Sequence, residues 1–243
     1  MPLLVRSWNV FHGRTYPPGR QAYLEEAMLL ATTDDPDVLC LQELPLWSLR
    51  RLEQWSGMAT FSARTRRRLG WLGRRPTDVH HGVFRSALTG QANAILVARQ
   101  FSVLDHRLRV LSGRRVDWPQ ERRVSHGVRI RVGDGVLVVV NLHLSHAGQG
   151  RPAEDELQST LALAEELAGD EEPVVLAGDF NLTADSAEMQ KLVAAGFSPA
   201  GPGIDHVIVR GLPSTALVVW PPERRLLNGR TLSDHPPVEL YAG

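Results

Sequence analysis

One cysteine among 243 residues leaves no disulfide framework. Cys40 lies inside the apolar run Val38-Leu39-Cys40-Leu41 and reads as a core side chain. A net charge is missing too: 27 basic and 27 acidic residues cancel, so no global field selects nucleic acid or an anionic membrane. Lysine is nearly absent. All but Lys191 of the 27 basic residues are arginine, a bias that genomic base composition suffices to explain. No apolar run approaches the roughly 18 residues that mark a membrane helix. The chain enters a strand-like segment at Leu3 with no basic-then-apolar leader before it, which predicts a soluble, cytoplasmic protein.

What is present is a hydrophobic content of 43%, enough over this length for one large core. Strand-like runs fall at 3–9, 38–43, 93–97, 128–132, 136–142, 174–179, 205–209, 216–220 and 238–241. Several are nearly continuous apolar stretches, the pattern of strands covered on both faces. Helical periodicity marks 21–31, 154–167 and 186–195, the last with Asp185 or Ser186 as its cap. Gly133-Asp134-Gly135 between two apolar runs predicts a tight hairpin. Strands and helices are therefore mixed, with antiparallel neighbours, and no linker divides the chain. One α/β (α+β) domain over 1–243, with sheets covered by helices, is the expected architecture. Residues 56–92 read as a long irregular segment. Within it, RTRRRLGWLGRR (Arg64–Arg75) sets six arginines around Trp71, a composition that suits phosphates and a stacked base but also an ordinary solvated loop.

Polar residues recur where apolar runs end. Asn9 closes the first, Gln42-Glu43 the second, His143 follows Val138-Val139-Val140, and Asp179 and Asn181 follow Val174-Val175-Leu176-Ala177. Asp205-His206 opens another run, and Asp234-His235 precedes the last. Alone, each is a turn or a cap. In a layered α/β protein, however, strand ends gather on one edge, where ligands bind. Carboxylates and carboxamides of Glu43, Asp179, Asp234, Asn9 and Asn181 are hard oxygen donors suited to Mg2+, with Mn2+ as the alternative. Imidazoles of His143 and His235 can bind phosphate oxygens, whereas His206, opposite in phase to Asp205, reads as structural.

The ordered set WN (8–9), LQE (41–43), NAI (93–95), NLHL (141–144), GDFN (178–181), IDH (204–206) and SDH (233–235) resembles the endonuclease/exonuclease/phosphatase superfamily. Deoxyribonuclease I, apurinic endonucleases, neutral sphingomyelinases and inositol-polyphosphate 5-phosphatases belong to it. The resemblance implies a four-layer sandwich of two packed mixed sheets flanked by helices, and metal-dependent hydrolysis of a phosphate ester. Carried over residue by residue, it places Asn9 and Glu43 on the metal with Asp234 near it. Asp179, helped by Asn181, would activate water. His235, with Asp205 on its ring, would bind the scissile phosphate; His143 would touch a phosphate oxygen. Asn93 and Arg123 (or Arg122) would contact substrate. Phe11 stands where apurinic endonucleases carry a carboxylate, which argues against that specificity.

The expected activity is thus a divalent-metal-dependent, nuclease-like phosphodiesterase, monomeric, with nucleic acid held through Arg64–Arg75. Alternatives are a phosphatase or phosphodiesterase acting on a small or lipid-derived phosphate, a zinc hydrolase built on His143, His146 and His206, and an inactive binding module. Loops 56–92, 111–126 and 146–153 would set the substrate.

Overall fold

A computed structural model describes residues 2–19, 21–64, 90–111, 123–146, 153–169 and 171–243. The apolar runs become the centres of two mixed sheets. One contains β1 (Leu3–Asn9), β3 (Val38–Pro45), β4 (Ala59–Arg64), β5 (Gln91–Val97), β11 (Val218–Val219) and β14 (Val238–Ala242), in the order β11-β14-β1-β3-β5-β4. The other contains β6 (Ser102–Val110), β7 (Val124–Val132), β8 (Gly135–His143), β9 (Val174–Asp179) and β10 (Asp205–Arg210), in the order β10-β9-β8-β7-β6. β1 and β3 pair in parallel, as do β8 and β9.

Each sheet buries both faces, and the cores follow from that. Val5, Cys40, Ile95, Val128, Val139, Val175 and Val207 interlock between the sheets. On the outer face of the first sheet, Trp8, Leu39, Leu41 and Leu96 pack against α1 (Leu24–Ala31) and α2 (Leu52–Ser56). On the outer face of the second, Val138, Val140, Leu142 and Leu176 pack against α3 (Ala153–Leu167) and α4 (Ala187–Ala194). Helix, sheet, sheet, helix: this is the four-layer sandwich. α1 turns Leu24, Ala27, Met28 and Ala31 inward at helical spacing. Ser186 caps α4, its Oγ accepting from Met189 N at 3.3 Å. The predicted hairpin joins β7 to β8, with Val132 opposite Gly135. Among the described residues no helix is long and apolar enough to cross a membrane.

Some strands escaped the sequence reading. β4 lies inside the segment 56–92 read as irregular, and β5 begins at Gln91. β4 is a half-buried edge strand whose residues, Phe61 apart, are small or polar, so it lacks a clear apolar alternation and is specified by its pairing with β5. β6, the edge of the other sheet, is likewise only half-buried, and a bulge between Val103 and Asp105 breaks its period. β7 starts at Val124, earlier than the run at Val128 suggested. A small sheet of β12 (Leu226–Leu227), β13 (Arg230–Leu232) and β2 (Thr15–Tyr16) has strands too short to show a period in the sequence. Apart from Arg64, the Arg64–Arg75 cluster lies outside the described residues.

Candidate active site

Strand pairing assembles the polar ends on one edge. His143 stands opposite Asp179 in the β8–β9 register, and Asp205 stands opposite Asp179 in the β9–β10 register. Asn9 ends β1 beside Gln42 of β3. Gly178 makes the close approach possible: a Cβ there would lie 2.0 Å from Leu142 O. Glu43 sits in a bulge of β3 between Leu41 and Leu44, at φ 56°, and the bulge turns its side chain towards the site. Phe11 (46°), His12 (58°), Asn181 (51°) and Ser233 (59°) share this left-handed backbone at the same edge. Such conformations cost about 1–3 kcal/mol each and collect at functional sites.

The loop between β13 and β14 is pinned from several sides. Ser233 Oγ donates to Asn9 O at 2.7 Å, and Trp8 Nε1 donates to His235 O at 3.0 Å. Arg225, buried, donates through Nη1 to the carbonyls of Leu232, Ser233 and His235 at 2.9, 3.1 and 2.8 Å. Beneath the site the two sheets are joined by polar groups. Gln42 Nε2 donates to Asn141 Oδ1 at 2.9 Å, and Asn141 Nδ2 donates to Leu41 O and Ala94 O at 3.0 and 2.8 Å.

Asp179 is the hub. Its Oδ2 accepts from Asn9 Nδ2 at 3.0 Å, and its Oδ1 accepts from the Asn181 backbone N–H at 3.1 Å. His143 Nε2 is 3.4 Å and His235 Nε2 3.9 Å from Oδ2. His235 Nδ1 pairs with Asp205 Oδ2 at 2.8 Å. Asn9 Nδ2 also reaches Glu43 Oε1 at 3.3 Å, while Asn9 Oδ1 accepts from Phe11 N–H at 3.1 Å. Arg123 Nη1 lies 2.8 Å from His143 Nε2 and 2.9 Å from Nδ1.

Burial and charge tune these groups apart. Burial pushes Glu43 up to about 7. Burial, then the charge of Asp205, raises Asp179 above the usual carboxylate range. Burial opposes a charged His235, but the hydrogen bond and charge of Asp205, with Asp179 and Asp234, prevail and lift it to about 9. His143 goes the other way, held neutral by burial and by the neighbouring Arg123. A cation has donors here. Asp179, Asp205 and His235 bring ligand atoms within 4.8 Å of one another, but a protonated His235 keeps no lone pair for an ion, so the carboxylate oxygens are the donors that remain. Among the described residues, Asn181 Oδ1 and Asp205 Oδ1 are buried without a hydrogen-bond partner. Oxygen donors left bare beside raised carboxylates fit a hard divalent ion.

Not every expected residue faces this cluster. Asn93 Nδ2 donates to Val124 O at 3.0 Å and so anchors the start of β7 next to Arg123. Asp234 is exposed at the rim. His206 points to the opposite face, its ring against Phe180 and its Nε2 on Leu182 O at 2.9 Å. Among the described residues His143, His146 and His206 form no common ligand group. Arg225, the Gln42–Asn141 link and the hydroxyl of Ser233 went unassigned in the sequence. Their partners are backbone atoms and remote residues, which leave no local signal.

A sequence profile of the endonuclease/exonuclease/phosphatase family matches residues 7–235. No curated protein sequence is similar enough to match. Solved structures share the fold at low identity. A functionally unknown conserved protein from Enterococcus faecalis is 21% identical, with TM-score 0.75 and 99% of both chains covered. The mannosyl-6-phosphatase of Bacteroides thetaiotaomicron is 17% identical, with TM-score 0.69 and 99% of both chains covered. The human Nocturnin catalytic domain, solved with a bound sulfate anion, is 16% identical, with TM-score 0.67, covering 100% of this chain and 94% of that one. With a profile match over nearly its whole length and the fold to go with it, the chain belongs to the endonuclease/exonuclease/phosphatase family.

Proposed function

We propose that the protein hydrolyses a phosphoester, foremost a phosphodiester, by in-line attack of a water that Asp179 orients and deprotonates. The observation that carries this reading is the part-buried Asp205–His235 pair, 2.8 Å apart, set beside Asp179. Asp179 is raised and gripped on both oxygens, which suits a general base that takes a proton from water. Asn181 offers its bare Oδ1 to the same water. His235, charged through Asp205, donates to a phosphoryl oxygen as negative charge grows there. Arg123 adds positive charge beside neutral His143, whose ring can donate to a second oxygen. Glu43, which Asn9 Nδ2 contacts at 3.3 Å, would hold a divalent cation of the Mg2+ or Mn2+ kind, with Asp234 at the rim. That ion, when bound, offsets the negative oxygens that otherwise repel a nucleophile. We read 1–243 as one such domain.

A second reading, a phosphatase acting on a small phosphate, is favoured by the full-length likeness to the mannosyl-6-phosphatase. One substrate panel separates them: DNA, RNA, a nitrophenyl phosphodiester, inositol and hexose phosphates and sphingomyelin, each with Mg2+ and Mn2+. At least one diester is expected to turn over, and D179N and H235A should each lower kcat by about 10²–10⁴. Undiminished turnover in both variants would overturn the mechanism; turnover of monoesters alone selects the second reading.

A further inference from the structure

His12 has no part in the chemistry above, yet the chain holds it in an unfavourable backbone beside Glu43. Phe11, His12 and Gly13 have φ of 46°, 58° and 79° in succession. Gly13 N–H donates to Val10 O at 2.7 Å, and Tyr23 N–H donates to Gly13 O at 2.6 Å. At Gly13 a Cβ would come within 2.5 Å of Leu24 Cγ, so the turn cannot relax by taking a larger residue there. An L-residue at positive φ persists only when its surroundings over-determine it. In this turn the His12 ring lies 6.4 Å from that of Phe11, centroid to centroid, and its Nε2 stands 3.3 Å from Glu43 Oε2.

The remaining contacts decide what this pair can do. Glu43 Oε1 is already taken by Asn9 Nδ2 at 3.3 Å, so Oε2 is the oxygen left for another partner. Both side chains keep access to solvent, His12 at 19% and Glu43 at 20%. Two donors each about 2.1 Å from one ion lie about 3.0 Å apart at a right angle and about 3.4 Å apart at the tetrahedral angle. The observed 3.3 Å falls between these limits.

We propose that His12 Nε2 and Glu43 Oε2 hold one divalent cation between them, making a mixed nitrogen–oxygen site that favours Mn2+ over Mg2+. Imidazole binds first-row transition metals well, whereas Mg2+ demands oxygen donors and keeps its water. The inference rests on the metal-dependent reading above and names the residue that sets the preference.

The test is Mn2+ binding to the whole protein followed by electron paramagnetic resonance, with Mg2+ as competitor and pulsed detection of coordinated nitrogen. Two variants are compared, H12N, because asparagine tolerates the left-handed backbone, and H12A. Expected are a nitrogen signal in the wild type that both variants lose, and a fall of about tenfold or more in the preference for Mn2+ over Mg2+. A nitrogen signal surviving in H12N, or an unchanged Mn2+ to Mg2+ ratio, overturns this inference alone. Failure of the wild type to bind either ion overturns it together with the metal-dependent reading.

Discussion

His235 is held charged against its own burial. Burial alone would keep its ring neutral, and the Asp205 carboxylate at 2.8 Å reverses that. With its pKa raised to about 9 from an ordinary 6.5, the imidazolium adds stability that is complete below about pH 6.5 and is lost as pH rises through about 9. Activity should follow the same limb, because the neutral ring cannot offset phosphoryl charge. On the acid side, Asp179 must lose a proton that burial and Asp205 help it keep, so activity should appear only above the ordinary carboxylate range. D205N removes the hydrogen-bonding charge. Its alkaline limb should move down in pH, measured as kcat against pH, and a limb that stays near 9 would dissociate Asp205 from His235.

At the scale of elements, β9 and the β3 bulge place the carboxylates. β9 is buried throughout and apolar up to Gly178, so it cannot shift without losing core contacts. Gly178 lets it run close against β8 while Asp179 emerges opposite His143. G178A would drive a Cβ into Leu142 O at 2.0 Å. Backbone does not yield as a flexible side chain does, so a loss of at least about 3 kcal/mol is expected in urea unfolding. Activity per folded molecule should drop as well, since the β8–β9 register sets the distance from His143 to Asp179. A variant of wild-type stability would show that the two strands can separate freely. The β3 bulge serves Glu43 similarly: in regular strand phase the side chain would not be turned by a positive φ.

Across the whole molecule, two sheets must keep their relative position for Asn9 and Glu43 to meet Asp179, His143 and His235. Apolar packing between them resists separation, but it tolerates sliding better than directional bonds do. Asn141 supplies the direction, linking β8 to Leu41 and Gln42 of β3 and to Ala94 of β5. N141L keeps the branched heavy-atom shape at a larger volume and removes the Asn141 partner of Gln42 Nε2, Leu41 O and Ala94 O. At about 1 kcal/mol for each lost bond, a destabilisation of roughly 3 kcal/mol is expected by thermal or urea unfolding. The pair Glu43–Asp179 should lose alignment too, read as a lower kcat in the fraction that remains folded. Unchanged stability and kcat together would assign the alignment to apolar packing alone.

Most central strands and the long helices were legible in the chain itself, because burial on both faces writes continuous apolar runs and helical burial writes a period. β1 and β9 coincide with their runs, and α3 differs by a residue. Edge strands β4 and β6 were not legible, since half-buried segments are free to carry polar residues. The motif residues Asn9, Glu43, His143, Asp179, Asp205 and His235 stood out by type and by position at strand ends. Their common location needed only the rule that strand ends gather on one edge. What they touch could not be read. That Asn9 bridges two carboxylates through its nitrogen, that Asn93 turns to Val124, that Arg225 clamps the His235 loop, and that His12 reaches Glu43 are decided by contacts between residues far apart in sequence. Local chemistry along the chain determines which groups are available and which segments must be buried; only the packing of two twisted sheets determines the few ångströms between them, on which proton transfer and ion binding depend.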